Sequence, residues 1–204
     1  SGTVVTMNNC DSTAVLSGFT IQGGYAYEGG GLYLAQSDPT LTNVTISGNT
    51  ATESGGGIYC GDSSDPTLTN VIISGNTANE NGGGIGLYDN SDPILTNVTI
   101  SGNTATNTGG GIFCYNNSNP TLLNTILWDN GANGVSFNGA FDSNSITISY
   151  SDIQGGQDSI ATNDNGTVTW GAGNIDADPM FVDTANGNHH LLASSQCING
   201  GAPT

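Results

Sequence analysis

The sequence predicts an all-β protein, a parallel β-solenoid whose coils of about 27 residues stack into a rod closed by a C-terminal cap. Three observations carry this. Near-copies of one motif begin at Pro39, Pro66, Pro93 and Pro120, 27 residues apart each time. Apolar residues alternate with polar ones over short runs broken by Gly and Asn, and nothing has the 3.6-residue spacing of a long helix. Each copy is tied to a Gly triplet and a short apolar run: Gly29–Gly31 with Leu32 and Leu34, Gly55–Gly57 with Ile58 and Cys60, Gly82–Gly84 with Ile85 and Leu87, and Gly109–Gly111 with Ile112 and Cys114.

Taken in order, Ser1-Gly2-Thr3-Val4-Val5 already reads as a strand, so the chain is expected to be a mature or excised piece of a longer precursor with flanking domains. Leu16–Gly23 is an early copy of the motif, and Ile148–Gly155 is a late one. A unit this short cannot bury its own apolar face, but stacked copies can, with equivalent residues roughly 4.8 Å apart. The expected interior columns are Leu32, Ile58, Ile85, Ile112, Val135; Leu34, Cys60, Leu87, Cys114, Phe137; Leu41, Leu68, Leu95, Leu122; and Ile46, Ile73, Ile100, Leu127. Asn43, Asn70, Asn97 and Asn124 form a column expected to be an amide ladder at a turn, although Asn43 and Asn97 also begin N-x-Thr sequons. Coils are assigned to residues 1–156. Residues 157–204 lose the motif and carry Trp170, Met180, Phe181, His189, His190, Leu191 and Leu192, so they are expected to cap the last coil and hide its strand edges.

Composition excludes whole classes of function. The chain has 204 residues, no Lys or Arg, 17 Asp plus Glu and a formal charge of −17. Without fixed cations nothing neutralises phosphate, which argues against nucleic acid and anionic lipid as partners. No apolar stretch is long enough to span a membrane.

Val44-Thr-Ile-Ser-Gly-Asn-Thr-Ala51, combined with Gly-Gly-Gly-Ile-Tyr at 55–59, resembles the repeat of polymorphic outer-membrane proteins and similar autotransporter passengers, within the wider group of right-handed parallel β-helix repeat proteins. The ending, with Asn174-Ile-Asp-Ala-Asp-Pro-Met-Phe-Val182 and His190–Ile198, is similar to the closing segment of large secreted bacterial β-helix proteins. The resemblance implies a single-stranded, right-handed parallel β-helix, a hand also favoured by the chirality of parallel crossovers. For function it implies little, since adhesins, stalks, lyases and hydrolases share the fold.

Candidate sites follow from the columns. Asp38, Asp65 and Asp92 precede the repeat prolines, and Asp62 and Asp89 form a parallel column ending in Asn116. Asp before Pro is a common turn starter. Stacked like charges with no basic neighbour also repel, so Asp62, Asp65, Asp89 and Asp92 are the candidate ligands for a bridging Ca2+. Cys60 and Cys114, two coils apart, are expected to be core thiols beyond disulfide reach, and His189-His190 to be cap residues. Rows of Thr, including Thr40, Thr42, Thr67, Thr69 and Thr96, suggest an ice-binding face, interrupted by Ile72, Ile94 and Leu123. Tyr33, Tyr59, Tyr88 and Tyr115 suggest carbohydrate or receptor contact, with Gly86 as a gap.

The expected function is a non-catalytic module of a bacterial cell-surface or secreted protein, extracellular, serving as stalk or adhesin-like binder of carbohydrate or a host or cell-surface protein. A polysaccharide-active lyase or hydrolase is the alternative. The lack of Lys and Arg argues against uronate lyase chemistry, and such an enzyme would need a groove of unique rather than repeated polar residues.

Overall fold

The computed structural model describes residues 2–131, 133–138, 142–198, 200 and 201. Residues 1, 132 and 139–141, assigned above to the coils, and residues 199 and 202–204, assigned to the cap, lie outside these. Each coil passes through up to four short strands, and equivalent strands of successive coils pair in parallel. Sheet A comprises Val5–Asn8, Leu32–Ala35, Ile58–Gly61, Ile85–Tyr88, Ile112–Tyr115 and Val135–Phe137. Sheet B comprises Val15–Ser17, Thr40–Thr42, Thr67–Thr69, Ile94–Thr96, Thr121–Leu123, Asn144–Ser149 and Gly166–Trp170. Sheet C comprises Thr20–Gln22, Thr45–Ser47, Ile72–Ser74, Thr99–Ser101, Ile126–Trp128 and Asp152–Ile153. Sheet D, from two-residue strands, comprises Tyr25–Ala26, Thr50–Ala51, Thr77–Ala78 and Thr104–Ala105.

The registers are those the repeat dictates. Leu68 stands between Leu41 and Leu95, and Ile73 between Ile46 and Ile100. All four expected columns are buried, Val135 and Phe137 included, and Val44, Val71 and Val98 add a fifth at the corner between sheets B and C. Each such side chain contributes about 1.5–3 kcal/mol of transfer free energy. The corners exist because the residues there tolerate a left-handed backbone: Asn43, Asn70, Asn97 and Asn124 have φ between 51° and 56°. The Gly triplets meet a different demand. A Cβ on Gly56 would lie 2.4 Å from the Thr77 carbonyl oxygen and 2.5 Å from that of Gly83, so successive coils close only where no side chain exists.

Two expectations about the C-terminal part change. The stack does not stop at 156. Asn144–Ser149 pairs in parallel with Gly166–Trp170, Ser136 bridges to Ala161 and Asp152 to Ile175, so residues 157–177 form a further, shorter coil. Nor do the described residues of the remainder cap its end. Phe181–Asp183 and Asn188–Leu191 form an antiparallel hairpin that folds back along the flank of the rod. Ile72 and residues 186–190 wall one crevice, and Trp128 shares another with Met180, Phe181 and Leu192. The reason is visible in the outward positions of sheet C. Most are Thr or Ser, but Ile72, Ile126 and Trp128 are apolar and give the tail a surface to dry.

Candidate functional site

Ladders hold the coils together at their polar corners. Asn49, Asn76 and Asn103 are fully buried. The Asn76 Oδ1 accepts the Asn49 backbone N–H at 3.0 Å and its Nδ2 at 2.9 Å, while the Asn76 Nδ2 donates to the Ile46 carbonyl at 2.9 Å and to the Asn103 Oδ1 at 3.0 Å. The pattern continues from Asn103 to Asn130. A second buried ladder runs through Ser37, Ser64, Ser91 and Ser118, each hydroxyl accepting the amide of the coil before. The Asn43 column is a third, at the surface, with Asn70 donating to Asn43 at 3.3 Å and Asn97 to Asn70 at 3.2 Å. Sequence reasoning found this last ladder and missed the buried two. Their signal is the Ser-Gly-Asn-Thr of three successive copies and the Ser two residues before each repeat proline, both recurring in the same 27-residue frame.

The candidate Ca2+ ligands Asp62, Asp65, Asp89 and Asp92 are drawn into this same system. The Asp38 carboxylate accepts the Asp65 amide at 2.9 Å, that of Asp65 accepts the Asp92 amide at 2.7 Å, and that of Asp92 accepts the Asn119 amide at 2.7 Å. Asp62 and Asp89 occupy left-handed corner positions, φ 55° and 53°, and Asn116 donates to the Asp89 carboxylate. Among the described residues no three His, Cys, Asp or Glu side chains are gathered at metal-binding distance. Burial, with the like charges of Asp92 and Asp38, lifts the Asp65 carboxyl above its usual range, and the Asp92 amide opposes the shift.

The tyrosines form a continuous column on the outside of sheet A. Tyr33 and Tyr59 stack at 5.2 Å and 2°, and Tyr59 and Tyr88 at 5.0 Å and 21°. The expected gap at Gly86 is filled by Tyr88, whose ring edge comes within 3.2 Å of where a Gly86 Cβ would stand and whose hydroxyl bonds Ser54 at 2.7 Å. Each inner ring face covers its neighbour, and the Tyr88 hydroxyl is turned to the buried Ser54, so the column offers no open stacking platform between its ends. The Tyr59 hydroxyl bonds Glu28, whose carboxyl is raised by burial and then by the charge of Glu53.

One constellation is not repeated. Asp152 takes the sheet C position held by Ile126 and Thr99 in earlier coils, yet its side chain is buried beneath the returning tail. One carboxylate oxygen accepts the Ala177 amide at 3.1 Å and the other the Cys197 thiol at 3.0 Å. Burial raises the Asp152 carboxyl, aided by Asp176 and Asp178, and burial together with Asp152 pushes the Cys197 thiol up to about 12, so the thiol keeps its proton and donates. These two residues, with Tyr150, Asn97, Asn124 and Leu191, line a cleft of about 620 Å³ between tail and coils. A lone buried carboxyl can act as an acid or orient a hydroxyl-bearing ligand. His189 packs edge-on against Phe181 at 5.2 Å on the hairpin, and burial lowers its pKa. Cys60 and Cys114 are buried free thiols.

A family model described as a right-handed β-helix region matches residues 3–177, the span that forms coils in the structure. The chain belongs to the right-handed β-helix family. Its match ends where the β-helix coils end and the returning tail begins, twenty-one residues beyond the boundary expected from the repeat motif alone (177 against 156). No curated protein and no solved structure matches the chain. No helix among the described residues is long and apolar enough to cross a membrane.

Proposed function

We propose that this β-helix is a non-catalytic, rigid module of an extracellular bacterial surface or secreted protein, serving as a stalk or an adhesin-like binder. The carrying observation is that its repeated polar side chains are spent on coil-to-coil ladders: Asn, Ser and Asp columns bond backbone and side chains of the next coil instead of converging on a cleft. The resemblance to autotransporter passengers supports the location, and the absence of Lys and Arg denies trypsin-type proteases a cleavage site, which suits an exposed rod. Antibody labelling of intact cells of the source tests location, and signal only after lysis would overturn it. Incubation with a panel of neutral and acidic polysaccharides tests the absence of catalysis, and release of new reducing or unsaturated ends would overturn that.

A second reading rests on the unrepeated Asp152 in its cleft, which favours a polysaccharide-active site. Loss of any such activity in Asp152→Asn, with circular dichroism unchanged, would support it. The outer face of sheet B favours ice binding: it is uncharged, with one column running Thr40, Thr67, Ile94, Thr121, Thr147 and Thr169. Absence of thermal hysteresis would retire that reading.

A further inference from the structure

Four Asn residues begin an N-x-Ser/Thr sequence in which x is not Pro: Asn43, Asn97, Asn116 and Asn165. Hydrogen bonds separate them. In the surface ladder each amide nitrogen points back at the coil before it, the Asn70 Nδ2 donating to Asn43 at 3.3 Å and the Asn97 Nδ2 to Asn70 at 3.2 Å. The Asn97 nitrogen is thus covered by the Asn70 amide, and Asn97, Val98 and Thr99 line the cleft beside Leu191 and Cys197 of the tail. The Asn116 Nδ2 donates to the Asp89 carboxylate, while Ser118 is buried with its hydroxyl bonded to the Tyr115 carbonyl. The Asn165 Nδ2 donates to the Asn138 carbonyl. Asn43 differs because it is the first amide of its column. Ser17 pairs with Thr42 and Thr20 with Thr45, which sets Gly18 beneath it. Gly18 supplies no acceptor, and a Cβ there would meet no atom within 4 Å. The Asn43 Oδ1 is therefore held by Asn70, while its exposed Nδ2 has no acceptor among the described residues. Asn43, Val44 and Thr45 line neither the cleft nor the crevices that the hairpin walls.

We propose that Asn43 is an N-glycosylation site, the one sequon of the folded rod whose nitrogen is open to a sugar. This goes beyond the reading as stalk or binder and holds whatever the rod binds. In the transfer one Nδ2–H bond is replaced by a bond from Nδ2 to the anomeric carbon. The donor is a glycosyl phosphate ester, nucleotide-linked or lipid-linked. Its C1–O bond breaks, the phosphate leaves with the electron pair, and the proton passes to a base of the transferase. The Asn43 Oδ1 takes no part, so it goes on accepting from Asn70 and the ladder above is undisturbed. At Asn97 the same sugar would have to enter beside an amide 3.2 Å away. On an unfolded chain all four sequons are equivalent, so occupancy confined to Asn43 reads the folded ladder.

The chain is purified from cells of its source, as wild type and as Thr45→Ile, and read by intact mass and chymotryptic glycopeptide mapping. Ile72 holds the position of Thr45 in the next coil, so Thr45→Ile removes the sequon and should leave circular dichroism unchanged. The expected result is hexose or N-acetylhexosamine on Asn43, at least about tenfold above Asn97, Asn116 and Asn165, and none on Asn43 in Thr45→Ile. A second arm incubates folded, unmodified chain with UDP-glucose and the soluble fraction of those cells, or with their membrane fraction alone. Transfer to Asn43 in the first marks a nucleotide-linked donor and in the second a lipid-linked one, and either supports the site. An unmodified Asn43 in both arms, equal occupancy of Asn43 and Asn97, or a sugar that persists on Asn43 in Thr45→Ile would each overturn the proposal.

Discussion

The buried Asn ladder makes the sharpest prediction. Asn76→Ala removes an amide that is 0% exposed and four hydrogen bonds with it. The Asn49 backbone N–H and one Asn49 Nδ2 hydrogen lose their partners, while the Ile46 carbonyl stays in the sheet C ladder. The Asn103 Oδ1 keeps the Asn76 backbone amide at 3.0 Å. Two orphaned donors at about 1–3 kcal/mol each give about 2–6 kcal/mol, and a water entering the vacated space would bring the loss toward the lower half. The matched control is Asn70→Gly, which breaks two exposed ladder bonds at 3.2–3.3 Å and keeps the left-handed backbone free of strain. It should cost about 1 kcal/mol or less. Urea unfolding followed by circular dichroism should show the Asn76→Ala midpoint falling by about 1 M at a slope near 3 kcal/mol per M, with the control almost unmoved. Hydrogen exchange should show faster opening of the coils on either side. A drop below about 1 kcal/mol, or equal drops in the two variants, would refute the claim that this ladder binds the coils.

Four more follow from the same structure. Glu28, Asp65 and Asp152 are raised by burial, so the folded chain binds protons that the unfolded chain does not. Their stabilisation is complete below the ordinary carboxylate value of about 4 and is lost as pH rises through their folded values. His189, lowered by burial, works oppositely below about pH 6.5, so Tm in a His189→Gln background should fall from about pH 4 to 7, and a climbing Tm would contradict this. Cys197→Ala should loosen the tail without melting the rod, read as faster exchange and chymotryptic cutting near Phe181 under an unchanged β spectrum. Gly56→Ala should abolish soluble folding because backbone oxygens occupy the Cβ position, whereas Gly48→Ala, with open space at φ 63°, should cost only about 1–2 kcal/mol. Because one oxygen of each of the Asp38, Asp65 and Asp92 carboxylates already holds an amide, Ca2+ against chelator should move Tm little, and a rise of several degrees would support the candidate site at Asp62, Asp65, Asp89 and Asp92.

What the sequence made legible was whatever recurs. The columns through Leu68 and Ile73 and the surface Asn ladder could be written down because a fixed 27-residue frame leaves only one way to align them. The last coil was hidden because it breaks the frame: Asn144 pairs with Gly166 at a separation of 22, and no Gly triplet marks the turn (166 − 144 = 22). The buried role of Asn76 was masked by its place in a turn-like Ser-Gly-Asn-Thr, which reads as exposed. The path of the tail had a faint signal in Ile72, Ile126 and Trp128, apolar where their columns otherwise favour Thr or Ser. An outward apolar residue announces a cover without saying which segment supplies it. Asp152 gave no motif at all, since its burial depends on a tail that arrives from 45 residues away.

The interchangeable registers on either side of Thr67–Thr69 have a genetic consequence. Its strand meets Thr40–Thr42 and Ile94–Thr96 in the same alignment, so excising residues 66–92 would join Asp65 to Pro93 and bring equivalent positions together again. Duplication or loss of one such 81-nucleotide block changes the length of the molecule by a single layer and keeps the strand register between the coils it joins. Recombination between the near-identical blocks could thus adjust how far such a molecule reaches.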